Sequence, residues 1–162
     1  MNSRILPVIS NIIVTRALTE QEIDQHNFKT FSPIANTKNL LYYYRKLPDN
    51  RILFGTRGDL SGSDQSNLDM SKKMEKFLKD IFPKWSNINI DYNWRGLIAL
   101  SQKLTPSIGK IDNEEIYYGF GYNGVGVSAA PWTGKQLSKL VFSSNSKDCL
   151  LYTSDAADDG TG

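Results

Sequence analysis

Ile116-Tyr-Tyr-Gly-Phe-Gly-Tyr-Asn-Gly-Val-Gly-Val127 is the stretch on which the reading of this chain turns. An extended aromatic run breaks at Gly119, Gly121, Gly124 and Gly126 and then opens into a helix predicted over residues 128–142. Glycine at such a junction lets the backbone turn sharply and lets a flat ligand come close. The helix start beyond it carries unpaired N–H groups and a partial positive charge, which suits an anion or a ring that becomes anionic. Gly119-Phe-Gly-Tyr-Asn-Gly124 also matches G-x-G-x-x-G between a strand and a helix. The acidic residue that ribose recognition needs about twenty positions on is missing, as is the second strand of a βαβ unit. Three readings stay open at this point: a dinucleotide fingerprint, a glycine turn approaching a ligand ring, and a merely tight strand-to-helix turn.

Working outward, residues 7–18 read as a strand centred on Ile12, Ile13 and Val14, followed by Thr19-Glu-Gln-Glu22, a capping box opening a short helix. Residues 27–39 are polar and read as a loop. Residues 40–46 and 51–56 are β-rich and joined by Leu47-Pro-Asp-Asn50, where Pro fits a turn and Asn tolerates positive φ, so they predict a hairpin. Alternation places Leu41, Tyr43 and Arg45 on one face and Tyr42, Tyr44 and Lys46 on the other. Residues 57–66 read as a loop. Met70, Met74, Phe77, Leu78 and Ile81 form a helical stripe stopped by Pro83, with the lysines opposite in solvent. Residues 88–101 alternate and then turn continuously apolar at Leu97–Leu100, as a strand entering the core would. Residues 115–120 are a further strand. In the last helix Pro131 is expected in the first turn, and Ala129, Ala130 and Gly134 form a small face for close packing.

The 162 residues, 40% of them hydrophobic, suffice for a core, and 11% aromatic content argues against disorder. No apolar run is long enough for a membrane span, and the N-terminus lacks the pattern of a signal peptide, so a cytoplasmic protein is expected. Cys149-Leu-Leu-Tyr-Thr-Ser-Asp-Ala-Ala-Asp158 looks like the translation of a transposon-type sequencing adaptor, so residues 149–162 are expected to be a disordered artefact. The sole cysteine lies there, which leaves no disulfide, thiolate nucleophile or cysteine-ligated metal before it. The net charge of +2 becomes more basic without Asp155, Asp158 and Asp159, but the charges are scattered and do not point to nucleic acid.

The single His26 argues against Ser-His-Asp chemistry and a histidine metal site, and its polar surroundings predict a solvated ring. No carboxylate pair sits in apolar sequence, and no catalytic residue is identified. Tyr42-Tyr-Tyr44 reads as a strand with aromatic faces or as a substrate wall. Arg45, on the Tyr43 face, reads as an edge residue or as a partner for an anionic substrate group.

Several blocks together resemble the FAD-dependent oxidoreductases of the D-amino-acid-oxidase type, nearest their γ-glutamylputrescine oxidase branch. They are Ile5-Leu-Pro-Val-Ile-Ser-Asn-Ile-Ile-Val-Thr15, Tyr43-Tyr-Arg45 through Arg51-Ile-Leu-Phe-Gly-Thr-Arg-Gly58, Trp94-Arg-Gly96, Pro106-Ser-Ile-Gly109, and Tyr117 to Val127 with Gly134. The resemblance covers nearly all of residues 5–142. It implies FAD as cofactor, a small amine or amino-acid derivative as substrate, imine formation by hydride transfer, and oxygen as acceptor. It places Gly121, Tyr122, Asn123, Gly124, Val125, Gly126 and Val127 against the flavin, and Tyr43, Arg45, Trp94 and Ile98 on the substrate side.

Two departures sharpen this. Many relatives read Gly-His-Gly where this chain has Gly124-Val-Gly126, so any contact by that histidine is absent. Amino-acid-oxidising members carry Trp-x-Gly-Leu-Arg-Pro, whose arginine clamps the substrate carboxylate. Here the aligned run is Trp94-Arg-Gly-Leu-Ile-Ala99, and Ile98 takes the arginine's place. That disfavours a free α-amino acid and favours a longer amine held at its other end.

The family's nucleotide fingerprint is not in this sequence, so the chain is expected to be the C-terminal part of a longer enzyme, inactive alone. The expected fold is α+β: a largely antiparallel substrate-domain sheet with covering helices over residues 1–105, then the strand–loop–helix of an FAD-binding, Rossmann-like domain over 106–148. The competing reading is a non-catalytic β-rich binding module. Neither reading invokes a metal, nucleic acid or membrane.

Overall fold

The computed structural model describes residues 5–37, 41–59, 61–111 and 113–142. The adaptor-like tail lies outside them. The element order is β1 (Ile5–Thr15), α1 (Glu20–Gln25), β2 (Ile34–Ala35), β3 (Tyr42–Lys46), β4 (Ile52–Asp59), α2 (Asp64–Ile81), a 3₁₀ turn (Pro83–Trp85), β5 (Ile90–Ser101), β6 (Ser107–Lys110), β7 (Tyr117–Phe120) and α3 (Gly126–Phe142). Of the described residues, those from 8 to 97 form one compact unit, and those from 5 to 7 and from 98 to 142 form another.

The first unit is built on a sheet of order β2-β3-β4-β1-β5 in which the β2–β3, β3–β4 and β1–β4 pairs are antiparallel. The expected hairpin is present, with Lys46 opposite Ile52 and Asn50 at φ 62° in the connection. Alternation sorts its faces as expected. Tyr42 and Tyr44 pack against the core of Ile13, Ile23, Ile52, Phe54, Met74, Leu78, Phe82 and Trp85, and Tyr43 points the other way. Met74 and Leu78 of α2 are buried in that core, each worth about 1.5–3 kcal/mol, and the helix stops at Ile81 ahead of Pro83.

The N-terminus of α1 is the expected capping box: the Glu22 N–H donates to Thr19 Oγ1 (3.2 Å), and the Thr19 N–H donates to Glu22 Oε2 (2.8 Å). Glu22 also takes a two-pronged contact from Arg16 at 2.6 and 2.9 Å. The Arg16 guanidinium and the Thr19 N–H hold the Glu22 carboxyl down at about 2.

Several expectations change. The 27–39 loop contains the two-residue β2, which pairs in register with Tyr43 and Tyr44 of β3 and is too short to show in the sequence. The presumed loop from Arg57 begins as strand, because β4 continues to Asp59 opposite Ile9. Asp59 is then buried and accepts from Ser66 Oγ (2.6 Å) and the Ser61 N–H (3.0 Å) at the start of α2. β5 does not enter the core at Leu97: it is the terminal strand of the sheet, and Leu97 is 74% exposed.

His26 is not a solvated ring. It lies edge-on to Phe82 and Trp85, 5.3 and 5.0 Å between centroids, and its Nε2 accepts from the Lys84 N–H at 3.1 Å. Burial first, and the nearby Lys84 charge second, push its pKa below the ordinary histidine value.

In the second unit β6 and β7 form an antiparallel ribbon, with Ser107 opposite Phe120 and Lys110 opposite Tyr117. β6 was not anticipated. α3 begins at Gly126, so Pro131 falls in the second turn rather than the first, where it removes the N–H that would bond the Val127 carbonyl. The expected small face divides: Ala129, one turn before Thr133 on the same side of the helix, is partly buried, whereas Ala130 and Gly134 are exposed. A Cβ at Gly134 would meet open space, whereas Thr133 is buried and packs on Gly119 of β7.

Candidate functional site

The glycine-rich run folds as a strand, a left-handed turn and a helix start. Gly121, Asn123 and Gly124 have φ of 74°, 54° and 85°. Two glycines meet this backbone without penalty, and asparagine is the residue that tolerates it next best. A Cβ on Gly121 would also crowd Ser101 Cβ at 3.3 Å. Close approach explains Gly119 as well, where a Cβ would lie 2.4 Å from Thr133 Cγ2.

Asn123 holds the turn together. Its Oδ1 accepts from the Ser101 N–H at 2.7 Å, and its Nδ2 donates to the Gly121 carbonyl at 2.5 Å and to Ser101 Oγ at 3.2 Å. Its own N–H donates to the Ala99 carbonyl at 3.3 Å. Ser101 Oγ in turn donates to the Thr105 carbonyl at 2.9 Å. Asn123 is thus spent on clamping the turn to the end of β5. Ser101 is a contributor the sequence did not reveal, because its partner is 22 residues away and only the fold joins them.

With the turn fixed, Val125 accepts the first helical bonds from Ser128 and Ala129 (3.2 and 3.0 Å). The N–H groups of Gly126 and Val127 have no acceptor within the helix. They lie beside an open aliphatic surface, since Val127 is 97% and Val125 53% exposed, and Gly124 is exposed too. Backbone donors, the positive end of a 17-residue helix and side-chain-free positions therefore share one spot. This donor set fits the flavin of FAD, whose isoalloxazine ring is flat and gains negative charge on reduction. The backbone of Gly124–Val127 would hold it. Tyr122 buttresses the turn from behind, with its Cβ 3.5 Å from where a Gly126 side chain would start.

In the other unit Tyr43 lies over Gly55, where a Cβ would come within 2.2 Å of the ring, and its hydroxyl is 3.1 Å from Ser10 Oγ. Arg45 is exposed on the same face, opposite Leu53. Trp94 is 45% exposed on β5, separated from β3 by β4 and β1, which at ordinary strand spacing is roughly 14 Å. The sheet therefore brings Tyr43 and Arg45 together and leaves Trp94 apart. Ile98, half-buried further along β5, belongs to the unit that begins at residue 98 and not to that of Tyr43, Arg45 and Trp94.

The family match supplies the class, that of the FAD-dependent oxidoreductases. Residues 1–140 match the family described as DAO, FAD dependent oxidoreductase, and the chain belongs to it. It is 35% identical over 141 residues to a probable oxidoreductase OrdL of Haemophilus influenzae, covering 87% of this chain and 31% of that protein. It is 30% identical over 138 residues to the gamma-glutamylputrescine oxidoreductase of Escherichia coli, covering 85% and 32%. Among solved structures, L-proline dehydrogenase from P. horikoshii superimposes with a TM-score of 0.68 at 18% identity, covering 85% of this chain and 36% of that one. Glycine oxidase from Bacillus cereus gives 0.64 at 16% identity, with the same coverage. The chain thus spans about a third of the length of these relatives. No helix among the described residues is long and apolar enough to cross a membrane.

Proposed function

We propose that the protein to which this chain belongs oxidises a small amine or amino-acid derivative of the γ-glutamylputrescine type to its imine. Bound FAD supplies the hydride acceptor, and oxygen is the proposed terminal acceptor. The observation that carries the reading is the exposed start of α3, where Asn123 and Ser101 fix the turn ahead of Gly126 and Val127, whose N–H groups have no acceptor within the helix. Fixed donors at a point of developing negative charge stabilise it without reorganisation. The chain's own part is orientation and electrostatics, which accords with the lack of any acid–base triad in its sequence. Ile98, in place of a carboxylate-clamping arginine, favours an amine gripped at a distance from the reacting carbon. The 30% identity to gamma-glutamylputrescine oxidoreductase is in keeping with that choice. A cytoplasmic setting belongs to the same proposal.

The test is an amine panel on the intact flavin-loaded protein, with hydrogen peroxide as readout. It includes γ-glutamylated diamines and free D- and L-amino acids. The expected result is turnover of the γ-glutamylated amines and little of the free amino acids. Robust oxidation of a free α-amino acid would overturn the argument from Ile98.

A further inference from the structure

Five arginines lie among the described residues, and they divide sharply. Arg16 pairs with Glu22, Arg51 with Asp91 and Asp49, and Arg95 with Asp64. The side chains of Arg45 and Arg57 make no ion pair, hydrogen bond or ring contact among the described residues. The sheet register puts these two together. Tyr43 faces Gly55 and Arg45 faces Leu53, so Tyr43, Arg45, Leu53, Gly55 and Arg57 project from one face, away from the core that holds Tyr42, Tyr44 and Phe54. Arg57 lies one step beyond Gly55 on that face, opposite Ser10 of β1, whose hydroxyl meets Tyr43.

The Cα atoms of Arg45 and Arg57 are about 14 Å apart, from four residues of strand rise and one strand spacing. Tyr43 and the side-chain-free Gly55 lie between them. Two extended arginine side chains span that gap and can converge on a single group above the Tyr43 ring. Arg57 is half-buried. A guanidinium with no counter-charge among the described residues is available to an anion. Arginine is also suited to this task, since its fork matches a carboxylate and its charge does not titrate away.

We infer that Arg57 and Arg45 form a carboxylate-binding pair across Tyr43, which takes the acidic end of the substrate and so determines specificity for carboxylate-bearing amines. This rests on the functional reading above and names what Ile98 leaves open: the site of the charge-assisted contact. Arg57 was not among the residues singled out from sequence, because its alignment with Arg45 depends on the β3–β4 register.

The test uses the intact flavin-loaded protein with Arg57→Gln, Arg57→Lys and, as control, Lys72→Gln on the exposed side of α2. kcat/KM is measured for γ-glutamylputrescine and for putrescine, which lacks the carboxylate. Glutarate binding is measured separately by calorimetry. In Arg57→Gln the γ-glutamylputrescine-to-putrescine ratio is expected to fall at least tenfold, mainly through KM, with a similar loss of glutarate affinity. Arg57→Lys restores part of both, and the control leaves the ratio alone. Equal loss on both amines overturns the inference, as does wild-type glutarate affinity in Arg57→Gln or no glutarate binding by the wild type. If neither amine is oxidised, the functional reading fails, and the glutarate arm still decides whether the arginines bind a carboxylate.

Discussion

Gly119→Ala is the sharpest test of how the second unit is packed. The added Cβ would stand 2.4 Å from Thr133 Cγ2, with Tyr122 Oη at 3.3 Å and Leu137 Cδ1 at 3.4 Å. Ordinary carbon–carbon contact is about 3.5–4 Å, so α3 must move off β7 by more than an ångström or Thr133 must leave its rotamer. Overpacking of this kind costs about 1–3 kcal/mol. Loss of glycine flexibility in the unfolded chain returns about 0.4–1 kcal/mol. The net expectation is a loss of about 1–2 kcal/mol, read as a lower urea midpoint at unchanged m value.

The clash has a single main partner, so a double-mutant cycle isolates it. Thr133→Ala removes Cγ2 together with an Oγ1 that has no hydrogen-bond partner among the described residues. Combined with Gly119→Ala, it is expected to recover most of the loss, a favourable coupling of at least about 1 kcal/mol. Additive single effects, or an unchanged midpoint for Gly119→Ala alone, would refute the packing account.

Acid sensitivity is the second expectation. The Glu22 carboxyl is held at about 2 from an ordinary value of 4.5, so its contribution is complete above about 4.5 and is lost as pH falls toward 2. Glu22→Gln is expected to flatten the fall in stability across that window, measured by urea titrations at stepped pH. A third concerns the clamp. Asn123→Gly keeps the positive φ and loses the side chain, so it is expected to fold yet weaken flavin affinity and shift the flavin reduction potential downward. Asn123→Ala adds about 1 kcal/mol of backbone strain to the same loss. Unaltered affinity and potential in Asn123→Gly would mean that the clamp does not position α3 for the cofactor.

What was legible in the sequence was local. The capping box at Thr19–Glu22, the hairpin through Asn50 and the helix ended by Pro83 each rest on residues within a few positions of one another. The strand–turn–helix of the glycine run is local too, since positive φ at Gly121 and Gly124 is a property of the residues themselves. The misreadings arose where distant chain decides. Leu97 has the composition of a buried strand, but burial depends on another layer covering that face of the sheet, and among the described residues none covers Leu97. His26 looks polar in sequence, yet Phe82 and Trp85 arrive from more than fifty residues away to cover it. Ser101 is unremarkable until the fold brings Asn123 to it.

The Tyr43 ring resting on Gly55 makes those two positions a single inherited choice. Any side chain at 55 would evict the ring, which would then give up its hydroxyl contact with Ser10 and its place between the two arginines. Homologous proteins with a bulkier residue at 55 must therefore have rebuilt the whole patch. The residue at 55 can accordingly be read straight from their genes to sort which lineages share this architecture.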